Sequence, residues 1–525
     1  MKIWKQIILS SVVCVAGSFM MPAVCQAQTV MAQQVGESEV VSSGKCGKNV
    51  NYRLCKTGKD SYTLRLEGTG KTDDFLGDIS VNFQYERPWD GTEGDTALLV
   101  ENHVTRIEVG EGITSIGSAA FADCWNPGLE VSLPSTLKEI GDYAFFGCKM
   151  GKVDLPDGLE IIGDHTFRSC VMHEINIPDS VKEIGKDAFS DCGYIKQIKL
   201  PASLTRLGKG AFSEMKSLQE LDNWNDRITE IPESLLCGTA IKTFTVPDAV
   251  TKIGRNAFGG CRELTGIYWN GKVREIGDLA FQSSGLVSMI IPDTVGQVGE
   301  QVFYDCRNLR EITLGKNQKG TLGTSSFNQC ITLRKIEIPD GITGIGDSAF
   351  CNCVSLEDVV IPDSVTEIAD SAFYNCMSLE TVTVPDSVER IGKKAFYGSK
   401  SLEHVRLPKG LKEIESATFR NCWTLRSIKI PKSVKRIGKE AFSDTSLSVI
   451  LLPDKVNTIG VNAFKNCQTL KMVQLGTGIK TIDKSAFTGC GCLREIRVPK
   501  KKYAAYKKLL KKPLKNLKKV KIKKY

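Results

Sequence analysis

The chain has 525 residues, with 69 Lys and Arg against 60 Asp and Glu and a formal net charge of +9. The excess is local, because residues 500–525 hold 13 Lys and no acid; the rest is slightly acidic, which excludes a uniformly basic body. Beyond residue 27 no stretch is apolar enough to span a bilayer.

Residues 1–27 read as a secretory signal: Lys2 and Lys5, an apolar run from Ile7 to Val15, then Cys25, Gln26 and Ala27 before Gln28. Two alternatives stand beside it. The shortness of the run and Pro22 argue against an uncleaved anchor. Val24, where a small residue belongs, argues against lipidation of Cys25. Residues 28–100 read as a β-rich cap. Its Cys46 and Cys55 lie outside the periodic region and are the candidates for a disulfide.

From 101 to 499 one sentence is written again and again. A Phe recurs from Phe121 to Phe487 at steps of 22 to 24 residues, with Leu235 filling one gap, giving 17 units. Each unit reads roughly L-x-x-V-x-V-P-x-x-V-x-x-I-G-x-x-A-F-x-x-C. In the unit around Phe396, Val382 and Val384 alternate with Thr381 and Thr383, which predicts a short strand with Val inward. Pro385 stops that strand, and Val388 and Ile391 return to the core. Ala395 and Phe396 are expected in a tight helical or 3-10 turn. One unit buries too little to fold alone, so the units must stack.

The Gly four residues before each Phe is replaced by Ala369, Glu415, Asp483 and Pro232. It therefore reads as a response to crowding and not as a left-handed position. Twelve Cys fall three residues after the repeat Phe. Ser284, Ser399 and Thr445 take the same slot, so this column reads as reduced, buried filler. The Asp of the recurrent Pro-Asp turns (Asp179, Asp363, Asp386) reads as a solvated turn residue.

On the outward strand positions, mostly Thr, Glu, Lys and Asn, four features depart from the background. Tyr268 and Ile290 are large and apolar on neighbouring units; His404, Arg406, Ser427 and Lys429 form a basic stretch; Leu451 and Met472 lie beyond it; and Trp224 replaces the usual Pro in an irregular unit. Tyr268, Ile290, Trp224, Arg406, His404 and Lys429 are the candidate partner-binding residues. In the tail, Tyr503, Tyr506, Leu509 and Leu510 have helical spacing before Pro513, and Leu517, Val520 and Ile522 can form a closing strand. Its Lys are either solvated cap residues or a polyanion-binding foot, for which Lys507, Lys508, Lys511, Lys512, Lys518 and Lys519 are the candidates.

No catalytic or metal motif accompanies the repeats. His103, His165, His173 and His404 lie in no zinc or nucleophile context, and His165 and His173 read as surface substitutions. No cofactor, small-molecule substrate or enzymatic activity is expected.

The unit resembles the BspA-type leucine-rich repeat of bacterial surface proteins over about 101–499. The order of SGKCGKNVNYRL (43–54), YTLRLEGTG (62–70), Pro88-Trp89 and VTRIEVGEGITSIGSAAF (104–121) is similar to the N-terminal cap of such arrays. IRVPKKKYAAYKKLL (496–510) is similar to their closing segment. The expected fold is an α/β repeat solenoid: a leucine-rich-repeat right-handed arc with a parallel strand ladder on one face and short helical or 3-10 turns on the other. The resemblance implies adhesion to host matrix proteins or to other bacteria, without a cofactor; with the signal at 1–27, the expected protein is an exported monomer at the bacterial surface that binds a protein or glycan outside the cell. The alternative is an envelope scaffold tethered by its Lys-rich tail.

Overall fold

The computed structural model describes residues 39–77, 85–90, 102–517 and 519–525. The signal expected at 1–27, and Lys518, lie outside the described residues. The strands β1 (Glu39–Gly47), β2 (Val50–Gly58) and β3 (Ser61–Gly68) form an antiparallel meander. The last of these pairs in parallel with Val104–Val109, so the cap leads directly into the coil stack. Trp89 is buried against Tyr52, Phe75 and Phe121 and seals that junction. About 18 turns then follow one another in a solenoid of parallel strands.

The cap corrects one expectation. Cys46 and Cys55 are both buried free thiols. Lys45 faces Asn51 while Cys55 faces Val40, so the two Cys sit several residues apart along the hairpin. At about 3.3 Å per residue that separation is far beyond disulfide reach. Burial, with the Asp73 charge, pushes the Cys46 thiol up to about 12.

Each coil has three sides. On the first, a three-residue strand such as Thr381–Thr383 buries its central Val382 and pairs in parallel with His404–Arg406 of the next coil. On the second, the return path, two-residue strands such as Glu367–Ile368 and Arg390–Ile391 pair in the same way. Between them the Phe side chains run as a stack. Phe373 and Phe396 lie 5.3 Å apart and almost parallel.

The third side differs from the expected helical face, and hydrogen bonding explains why. Two residues of the turn, four apart and on either side of the Phe, take positive φ, as at Lys394 (56°) and Gly398 (72°) around Phe396; two residues beyond the Phe the same sign recurs at Asn375 (56°) and Asn421 (63°). With these two positive-φ residues in the turn, every second N–H points along the stack: those of Lys394, Phe396 and Gly398 donate to the carbonyls of Ser416, Thr418 and Arg420 in the next coil. Intervening residues close local turns, as Ala395 does on Gly392 and Tyr397 on Lys394. Since half of the donors leave the turn, no helix forms. Asn, Asp and Gly at the second position meet the demand for positive φ at low cost.

The glycine reading holds, because the repeat Gly lies where coils touch. A Cβ on Gly208 would sit 2.3 Å from the carbonyl carbon of Gly185. The Cys column is reduced and buried, as expected, but it does more than fill space. The thiol of Cys376 donates to the carbonyl of Phe350 at 3.2 Å, and that of Cys353 to Phe327 at 3.0 Å. Ser399 donates to Phe373 in the same manner. One slot must be reassigned. The thiol of Cys261 donates to the Leu236 carbonyl, and Leu236 donates its N–H to Ala257, as Phe373 does to Ala395, the residue before the next Phe. Leu236 therefore replaces the Phe, and Leu235 stands in the Ala position.

Candidate functional site

The strand side is where side chains from successive coils align, and its flanking positions are exposed in most coils, although Met472 and Gln474 are half-buried. Tyr268 (61% exposed) and Ile290 (68%) project from it on neighbouring coils. Trp224 does not. It is half-buried against the core, and its indole N–H donates to the Ile228 carbonyl at 3.0 Å, closing its own turn.

A broad concavity lies further along. A groove of about 1250 Å³ is lined by the strand side from Thr381 to Gln474, including His404, Arg406, Ser427, Lys429, Lys432, Leu451 and Lys455. His404, Arg406 and Lys429, singled out by sequence, are thus brought together. Its floor is aliphatic: Val405 and Ile428 are half-buried, whereas Val382 and Ile450 on either side are buried.

A change in the Pro-Asp turn accompanies the groove. In several coils the Asp is not simply solvated: it accepts a backbone N–H from the next coil, as Asp179 does from Ala202 (3.1 Å) and Asp293 from Lys316 (2.9 Å). Asp386 accepts from Lys409 in the same way (3.0 Å), and Asp454 from Thr477 (2.8 Å). Between these, two successive coils carry Pro408-Lys409 and Pro431-Lys432. The tie is lost there and cations take its place. Lys409 and Arg406 also pair with Asp386, at 2.8 and 3.0 Å. Together with the Lys409 N–H, they hold that carboxylate down to about 2.

The tail closes the stack. Helix α1 (Tyr503–Leu510) buries Tyr506 and Leu510. The Tyr506 hydroxyl accepts the Ile479 N–H (3.0 Å) and donates to the Gly476 carbonyl (2.9 Å). Lys521–Lys524 then pairs in parallel with Glu495–Val498. Lys507, Lys508, Lys511, Lys512 and Lys519 are all exposed around this cap.

Outside these surfaces, His165 is buried and not a surface substitution. It stacks on Tyr143 at 4.5 Å, and burial lowers its pKa. Among the described residues no group of three His, Cys, Asp or Glu is placed to hold a metal, and no helix is long and apolar enough to cross a membrane. Sequence reasoning missed Lys432 and Lys455. The available signal was the exchange of Asp for Lys at 409 and 432.

Among curated proteins none matches the sequence. Of solved structures, a leucine-rich repeat protein from Bacteroides ovatus is 22% identical, covering 91% of this chain and 98% of its own, with a TM-score of 0.50. One from Eubacterium ventriosum is 22% identical over 77% and 96%, with a TM-score of 0.43. A leucine rich cell surface protein from Faecalibacterium prausnitzii is 18% identical over 88% and 95%, with a TM-score of 0.30. The profile of the BspA type leucine-rich repeat region matches in six overlapping copies, from 98–219 to 389–512. With the repeat, its Phe stack and its strand ladders all in place, the chain belongs to the BspA-type leucine-rich-repeat family.

Proposed function

We propose that this chain is an exported, surface-displayed, non-enzymatic binding protein that presents its strand side to host matrix proteins or to other cells. The family fold is generally a protein-interaction scaffold, and no catalytic domain is indicated. The single observation that carries the reading is the groove, where an aliphatic floor lies among His404, Arg406 and Lys429. Binding here is contact along aligned side chains, by a monomer and without cofactor or chemistry. Tyr268 and Ile290 form a second exposed apolar patch on the same side. Protease treatment of intact cells tests the display: a surface binder is cleaved while the cells remain sealed. Protection until lysis contradicts it.

A second reading is an envelope scaffold held by the cap. It is favoured by the exposed Lys507, Lys508, Lys511, Lys512 and Lys519, which suit a polyanion through loose, salt-sensitive attraction. Lys518 belongs to the same run in sequence.

A further inference from the structure

From Gln197 to Val498 every coil has a strand on this side except one, at residues 427–429. Ser427, Ile428 and Lys429 keep the outward–inward–outward pattern of a strand, so the side chains do not explain the loss. The backbone does. Residues 427–430 exchange no backbone hydrogen bond with the coil on either side, although the return path stays paired through Glu413–Ile414 and Arg436–Ile437. The stack is therefore intact behind an open strand ladder. His404–Arg406 pairs with Thr381–Thr383 but has no strand on its other flank. Peptide N–H and C=O groups here line the groove without a backbone partner in the next coil, a ready template for an added strand.

The charge around this opening is predominantly positive, although Asp454 also lines the groove. Residues 400–439 hold eleven Lys and Arg against three acids. Among the described residues, Lys429, Lys432 and Lys455 have no acid within ion-pair distance, and all three line the groove. The exchange of Asp for Lys at 409 and 432 supplies two cations in place of two turn carboxylates.

Resting on the binding reading above, we infer that this groove docks an extended acidic segment of a protein partner, which adds as a strand to the open backbone at 404–406 and 427–429. A peptide presents donors and acceptors at the spacing of a strand edge, about 3.3 Å per residue. Its alternate side chains meet the aliphatic floor and the lysines in turn. An acidic glycan offers the charge without the alternating backbone groups or the aliphatic side chains.

The test uses the whole chain and a capped eight-residue peptide of alternating Glu and Val. Its controls are the Lys-Val counterpart, the Glu-Val peptide N-methylated at every second amide, and a heparin octasaccharide. The expected result is binding of the Glu-Val peptide alone, weakened at least tenfold by K429E or K455E. K432D, which returns a carboxylate to the turn, is expected to do the same, with melting temperature confirming that each variant folds. Equal binding of the N-methylated peptide overturns strand addition. Binding of heparin but not of the peptide, or of neither, overturns the acidic-peptide assignment. Capture of a matrix protein that is insensitive to all three variants also sinks this inference, while leaving the broader binding function standing.

Discussion

The carboxylate of Asp386 accepts the Lys409 backbone N–H at 3.0 Å and pairs with the same residue's ammonium at 2.8 Å, joining two successive coils just before the groove. These contacts and Arg406 hold Asp386 down to about 2. A carboxylate depressed in the folded state adds stability above its unfolded value of about 3.9, and that stability is lost as the pH falls towards 2. Lys409→Ala is expected to move the Asp386 titration up towards the ordinary carboxylate range. Carboxyl-carbon NMR titration reads this directly, and an unmoved midpoint contradicts the tie.

The column thiols are expected to be inert in the native protein. Burial pushes Cys192 up to about 12 and Cys306 up to about 11, which keeps them as protonated donors. Cys492 is exposed. Iodoacetamide followed by mass mapping should label Cys492 within minutes and the column only after unfolding. Cys376→Ser keeps the donor to Phe350 and should be nearly neutral; Cys376→Ala should cost about 1 kcal/mol. Equal costs for the two contradict a role for the hydrogen bond.

Phe373 stands in the stack between Phe350 and Phe396, at 5.2 and 5.3 Å. Phe373→Ala is expected to destabilise by about 3–5 kcal/mol. Hydrogen exchange should show the loss concentrated in the adjoining coils, since a solenoid has few long-range contacts to spread it.

Gly208 and Gly296 separate crowding from composition. A Cβ at Gly208 meets the Gly185 backbone at 2.3 Å, whereas at Gly296 nothing lies within 4 Å. Gly208→Ala should destabilise by about 1–3 kcal/mol and Gly296→Ala should be near neutral, read by denaturant melts.

Much of this was legible in the sequence because side-chain periodicity reports burial. The Phe spacing, the alternation of Val382 with Thr381 and Thr383, and the helical spacing of Tyr506 and Leu510 all carried over. Backbone signs were harder to read. The turn side took positive φ at two places per coil in place of a helix, although Asn375 and Asn421 at one recurring place were a usable signal. Leu235 and Leu236 are equally apolar, and only the donor from Cys261 decides between them. His404, Arg406 and Lys429 were marked by charge, but the open ladder between them leaves no trace in side-chain pattern.

The most direct measurement is binding of the whole chain to immobilised matrix proteins, glycans and polyanions at two salt concentrations. It compares a triple groove variant, with Glu at 429, 432 and 455, against a cap variant with Gln at 507, 508, 511 and 512. Substitution is preferred to truncation because Tyr506 anchors the last repeat. The account predicts that a ligand retained at the higher salt is lost from the groove variant, at least tenfold, and kept by the cap variant. Binding that disappears with the cap lysines and with salt, and survives the groove substitutions, would make the solenoid a spacer and contradict it.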